Sequence, residues 1–140
     1  MKNVVVLLLL MVSTSVFASE SYLCIADKIT GFKFNKQSKN YEPADFNVRE
    51  SKYILKNNDN TWEWKDFGET FSIFTCSTSF SSQGALICEG FETVEFNKNN
   101  LRYIKTSTIG YIHVGSKIGK GVVKDGENTP FMEIGKCSPM

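Results

Sequence analysis

The sequence predicts an all-β fold: a small antiparallel meander that forms a barrel or a strongly bent sheet and carries two disulfides. Three observations predict it. Beyond residue 18 there are only three Ala and four Leu, against ten Phe, five Tyr and two Trp, so helix formers are scarce and strand formers abundant. Apolar side chains recur mostly every second residue. Clusters of Asn, Asp, Ser and Gly interrupt them at near-regular intervals, as in a run of short strands joined by turns.

The first element is not part of that fold. Lys2, the unbroken apolar run Val4 to Val12, and Val16-Phe17-Ala18 with small residues at the −3 and −1 positions make up an export signal over residues 1–18, cut after Ala18. As a helix the apolar run would reach only about 13 Å, less than half of a bilayer core of roughly 30 Å, so no membrane span is expected after cleavage. Cys24, the nearest cysteine, follows no lipobox. Residues 19–140 are expected to form a single domain.

Within the domain, Tyr22 to Ala26 and Thr30 to Asn35 are the first expected strands, the second placing Phe32 and Phe34 on one face and Lys33 on the other. Asn35 to Asn40 is a polar turn, and Asn40 to Pro43 begins the return strand. Pro43 to Ser51 is irregular, with room for one helical turn. Lys52 to Lys56 and Thr61 to Asp66 flank Asn57-Asn58-Asp59-Asn60, whose side chains tolerate the left-handed backbone of a tight hairpin. In the second of these strands Trp62 and Trp64 share a face, opposite Glu63 and Lys65. Thr70 to Cys76 and Ala85 to Gly90 flank a Ser-rich loop; Glu92 to Asn97 and Leu101 to Thr106 flank an Asn-rich turn. Tyr111 to Gly115 is expected as a further strand, then a Gly/Lys-rich loop from Gly115 to Asn128, then a last strand from Pro130 to Cys137.

Four cysteines in an exported chain imply two disulfides. Of the three possible connectivities, Cys76–Cys88 and Cys24–Cys137 are favoured. The first pair flanks one loop between neighbouring strands, and the second would tie the first strand to the last. A zinc site is not expected, because there is no CxxC pair and His113 is the one histidine.

Beyond residue 18 the 15 Lys and Arg balance 15 Asp and Glu, which argues against nucleic acid and against electrostatic attachment to anionic lipid. No catalytic set, cofactor motif or metal set emerges. His113 alternates with Ile112 and Val114 as a surface residue beside Tyr111. Glu92 and Glu95 lie near Glu89 without a pattern specific to glycoside cleavage. Gly115 to Gly121 has three residues between its first two glycines where a phosphate loop needs four, and Gly121 stands where that loop needs Ser or Thr. The aromatic residues Phe32, Phe34, Trp62, Trp64, Phe71, Phe96 and Tyr103 are expected to fill the core. If Trp62 and Trp64 faced outward they would instead offer an aromatic contact face.

Several segments resemble a family of short exported bacterial proteins, of proteobacterial type, whose function is unknown. They are Tyr22-Leu23-Cys24-Ile25-Ala26-Asp27 with Thr30-Gly31-Phe32, the Phe34-Asn35-Lys36 turn, the Trp62/Trp64 strand, the hairpin from Phe96-Asn97-Lys98 to Tyr103, and Thr129-Pro130-Phe131-Met132-Glu133-Ile134-Gly135-Lys136-Cys137. The resemblance implies structural motifs and brings no activity. A looser resemblance, of architecture, is to periplasmic inhibitors of c-type lysozyme. Those carry a Ser-Gly-x-x-Tyr loop; Gly115-Ser116-Lys117 here has another order and no suitably placed Tyr. The expectation is therefore a monomeric, non-enzymatic binding or structural module of the periplasm or cell exterior, without cofactor, acting on a protein or small ligand. An inhibitor of an enzyme such as lysozyme is the alternative, and a small-ligand carrier or hydrolase stands behind it.

Overall fold

A computed structural model describes residues 20–72, 74–118 and 120–140, so the export signal expected over residues 1–18 lies outside the described residues. The chain is all-β. Its strands are β1 (Ser21–Asn35), β2 (Asn40–Phe46), β3 (Lys52–Asn58), β4 (Thr61–Asp66), β5 (Thr75–Cys76), β6 (Ala85–Glu89), β7 (Thr93–Asn97), β8 (Arg102–Ser107), β9 (Lys117–Ile118), β10 (Gly121–Val122) and β11 (Phe131–Pro139). The main sheet runs β4-β3-β1-β11-β8-β7-β6-β5, all antiparallel, and is nearly closed into a barrel by the approach of β4 to β5. Ser72 bridges that seam, donating to the carbonyl of Trp64 (2.6 Å) and accepting from the N–H of Phe74 (3.3 Å). β2 pairs with the far half of β1, and β9 and β10 form a separate two-residue hairpin.

β1 joins two expected strands into one of 15 residues. Its register against β11 shifts between Ala26 and Lys28, a bulge at Asp27. Side chains in a strand alternate faces, so one extra residue exchanges the faces of all that follow. Before the bulge Tyr22, Cys24 and Ala26 are buried; beyond it Ile29 faces the barrel mouth and Phe32 turns outward, half exposed. The expected core role of Phe32 is thereby corrected, and so is that of Phe71, which is exposed in the segment between β4 and β5.

The disulfides are Cys24–Cys137 and Cys76–Cys88, each joining residues directly opposite on adjacent strands. Around them packs an aromatic core. Trp64 lies 5.0 Å from Tyr53 and 5.1 Å from Tyr103, and Tyr22 lies 4.9 Å from Phe96, centroid to centroid. Trp62 and Trp64 are 3% and 0% exposed, so the contact face considered for them does not exist. Pairing with β3 sets their direction: Trp64 lies opposite Leu55, whose side chain is also inside, while Glu63 and Lys65 face out and pair at 3.4 Å. The indole N–H of Trp64 is buried without a hydrogen-bond acceptor among the described residues. The aromatic side chains of this core, with Leu55, Leu86 and Val94, occupy the interior.

Asp59 and Asn60 take positive φ in the β3–β4 turn as expected. Two expectations are corrected. The return strand β2 continues to Phe46, replacing the helical turn considered after Pro43. Tyr111 to Gly115 is a turn, not a strand: Gly110 has φ +88°, and the N–H groups of Tyr111 and Ile112 both bond back to the carbonyl of Thr108.

Candidate binding site

The outward turn of β1 beyond Asp27 brings the β1–β2 hairpin against the segment 108–130. Tyr41, opposite Phe34 on β2, is the joint. Its ring packs 5.1 Å from Phe34 and 5.4 Å, edge to face, from Tyr111. Its hydroxyl donates to the carbonyl of Gly110, accepts from the N–H of Gly126 (3.2 Å) and lies 3.1 Å from Asp125 Oδ1. Loss of solvent pushes this hydroxyl up from its ordinary pKa; the Gly126 N–H opposes this and the Asp125 carboxylate adds to it, so Tyr41 stays a neutral donor.

Two adjoining depressions open there. One, of about 350 Å³, is lined by Phe32, Tyr41, Tyr111 and Pro130. The other, of about 740 Å³, shares Tyr41 and Tyr111 and adds Phe34, Lys39, Val114 and Asp125. Tyr111 is 65% and Phe32 50% exposed, so aromatic surface held in fixed positions faces solvent. That is the usual make-up of a contact surface.

A second cluster lies at the barrel mouth. Glu133 on β11 is 1% exposed and accepts hydrogen bonds from Tyr103 (2.8 Å, to Oε1) and Tyr53 (3.0 Å, to Oε2). Its cross-strand neighbour Lys105 reaches Glu92 at 2.8 Å, donates to Tyr53 at 3.4 Å and sits over the rings of Tyr53 and Phe131. Burial pushes the Tyr53 hydroxyl up to about 12; the Lys105 charge opposes this and Glu133 adds to it. Burial, then the bond to Glu133, pushes Tyr103 far above its ordinary range. Burial alone would lower Lys105, but Glu92, Tyr53 and Glu133 outweigh it and raise its pKa. The tyrosines therefore stay protonated and Lys105 stays charged. Each is engaged with another member, as a buried polar network must be to be tolerated. A depression of about 370 Å³ above the cluster is lined partly by Ile29, Phe46 and Phe131.

The residues weighed for catalysis do not converge. His113 is exposed in the turn after Tyr111. Glu92 turns in to Lys105 while Glu95 is exposed on the outer face, and no metal-holding group of His, Cys, Asp or Glu occurs among the described residues. Sequence reasoning missed Tyr41, Tyr111 and Pro130 as one cleft, and Glu133 as a buried charge. No protein-family model, curated protein or solved structure matches this chain.

Proposed function

We propose that this chain is an exported, non-enzymatic binding module of the periplasm or cell exterior that meets its partner through the Phe32–Tyr41–Tyr111–Pro130 cleft. One observation carries the reading: the exposed ring of Tyr111 packs against Tyr41, whose hydroxyl is tied to two backbone groups of the facing loop. Two disulfides suit an oxidising compartment. The buried charges at the barrel mouth are spent on one another and support a structural role for that end.

An inhibitor of an exported enzyme such as lysozyme is the second form of this reading. It is favoured by the β9–β10 hairpin, whose exposed Gly121 and Val122 stand on the segment that walls the cleft. Capture from an exported fraction by the wild-type chain and by Tyr111→Ser tests both. Recovery of a partner by the wild type and its loss in the variant is expected; equal recovery contradicts the cleft. Unchanged lysozyme turnover with the protein present removes the inhibitor form.

A further inference from the structure

The two segments that build the cleft are basic in a chain that is otherwise acidic. Residues 33–42 and 111–128 hold Lys33, Lys36, Lys39, Lys117, Lys120 and Lys124 against Glu42, Asp125 and Glu127. Elsewhere over residues 20–140, nine basic residues face twelve acidic ones. The neutral total therefore conceals a separation of charge along the chain; of these residues Lys39 lines the larger depression, together with Asp125, which lies 3.1 Å from the Tyr41 hydroxyl. Among the described residues Lys124 is the one lysine of the six in an ion pair, with Glu127 at 3.3 Å. Glu42 is occupied by Asn35 (2.7 Å) and Ser38 (3.3 Å).

We propose, resting on the cleft as contact face, that its occupant is an acidic polysaccharide. The geometry suits a chain of rings bearing carboxylates. The two depressions share Tyr41 and Tyr111 as a common wall, and each has the volume of a small-ligand site. Exposed aromatic faces carry the negative side of the ring quadrupole, which attracts the C–H face of a sugar. Lys39 on the wall of the larger depression is placed for its carboxylates. An acidic polypeptide shares the charge but not the fit. It would add to the open outer edge of β2, where Pro43 offers no N–H and Glu42 and Asp45 would repel it.

Binding of the full domain to polygalacturonate, dextran and poly-L-glutamate tests this. Polygalacturonate alone should bind, with affinity falling as salt rises from about 20 to about 200 mM, because the contact is partly ionic. The double reversal Lys36→Glu/Lys39→Glu should weaken it roughly tenfold. Tyr111→Ser should weaken it with less change in salt dependence, and both variants should melt as cooperatively as the wild type. Equal or tighter binding to poly-L-glutamate, binding to dextran, or indifference to the reversals overturns the proposal. Absence of polygalacturonate binding also overturns it; if capture of exported material still depends on Tyr111, only the polysaccharide fails and the contact face stands.

Discussion

Gly126 lies so close to the ring of Phe34 that a Cβ at position 126 would fall 2.3 Å from Phe34 Cδ1. The contact locks the hairpin to the facing loop, because Gly126 also donates to Tyr41. Its φ of +74° disfavours any side chain as well. Gly126→Ala should therefore detach the loop while sparing the barrel. A loss of about 1–2 kcal/mol is expected in urea titration, with faster proteolysis within residues 111–128.

Glu133→Ala should be far more damaging than any surface acid-to-alanine change. It leaves the hydroxyls of Tyr53 and Tyr103 buried without their acceptor, and Lys105 loses a compensating charge. Urea titration should show a loss of about 3–5 kcal/mol. Glu95→Ala, exposed on the outer face, should stay within about 0.5 kcal/mol.

Stability should fall in alkali. Tyr53 holds its proton up to about 12 in the folded state, while an unfolded tyrosine releases it near 10. Between those values the folded chain binds more protons, so the stabilising contribution, complete below pH 10, is lost as pH rises toward 12. On the order of 2 kcal/mol is expected from Tyr53 alone. Urea midpoints at rising pH check the sign, and Tyr53→Phe should flatten the decline.

The two disulfides should contribute unequally. Cys24–Cys137 spans 113 residues and Cys76–Cys88 spans 12. On the chain-entropy argument, removing the first by paired serines should cost about 4–5 kcal/mol and the second about 3 kcal/mol, read from urea midpoints.

Much of the fold was legible in period-two spacing, turn residues and cysteine placement. Of the expected Asn57 to Asn60 turn, Asp59 and Asn60 make the bend while Asn57 and Asn58 pair within β3, and both cystines join residues opposite one another on adjacent strands. The cleft was less legible because it depends on one inserted residue. Alternation assigns Phe32 and Phe34 to a common face but cannot reveal that a bulge at Asp27 exchanges inside for outside. Tyr111-Ile112-His113-Val114 has strand composition, and the positive φ at Gly110 overrides it. Glu133 left a usable signal. It stands four residues before Cys137, hence on the same face, and Cys137 had to be inside to meet Cys24.

Oxidative footprinting of the domain with its captured partner locates the contact face. Phe32 and Tyr111 are exposed at the cleft, while Ile25, Ile87 and Ile134 are exposed on the barrel strands away from it. Binding through the cleft should protect Phe32 and Tyr111 and leave the three isoleucines as reactive as in the free protein. Protection of the isoleucines with Phe32 and Tyr111 unchanged would contradict the account.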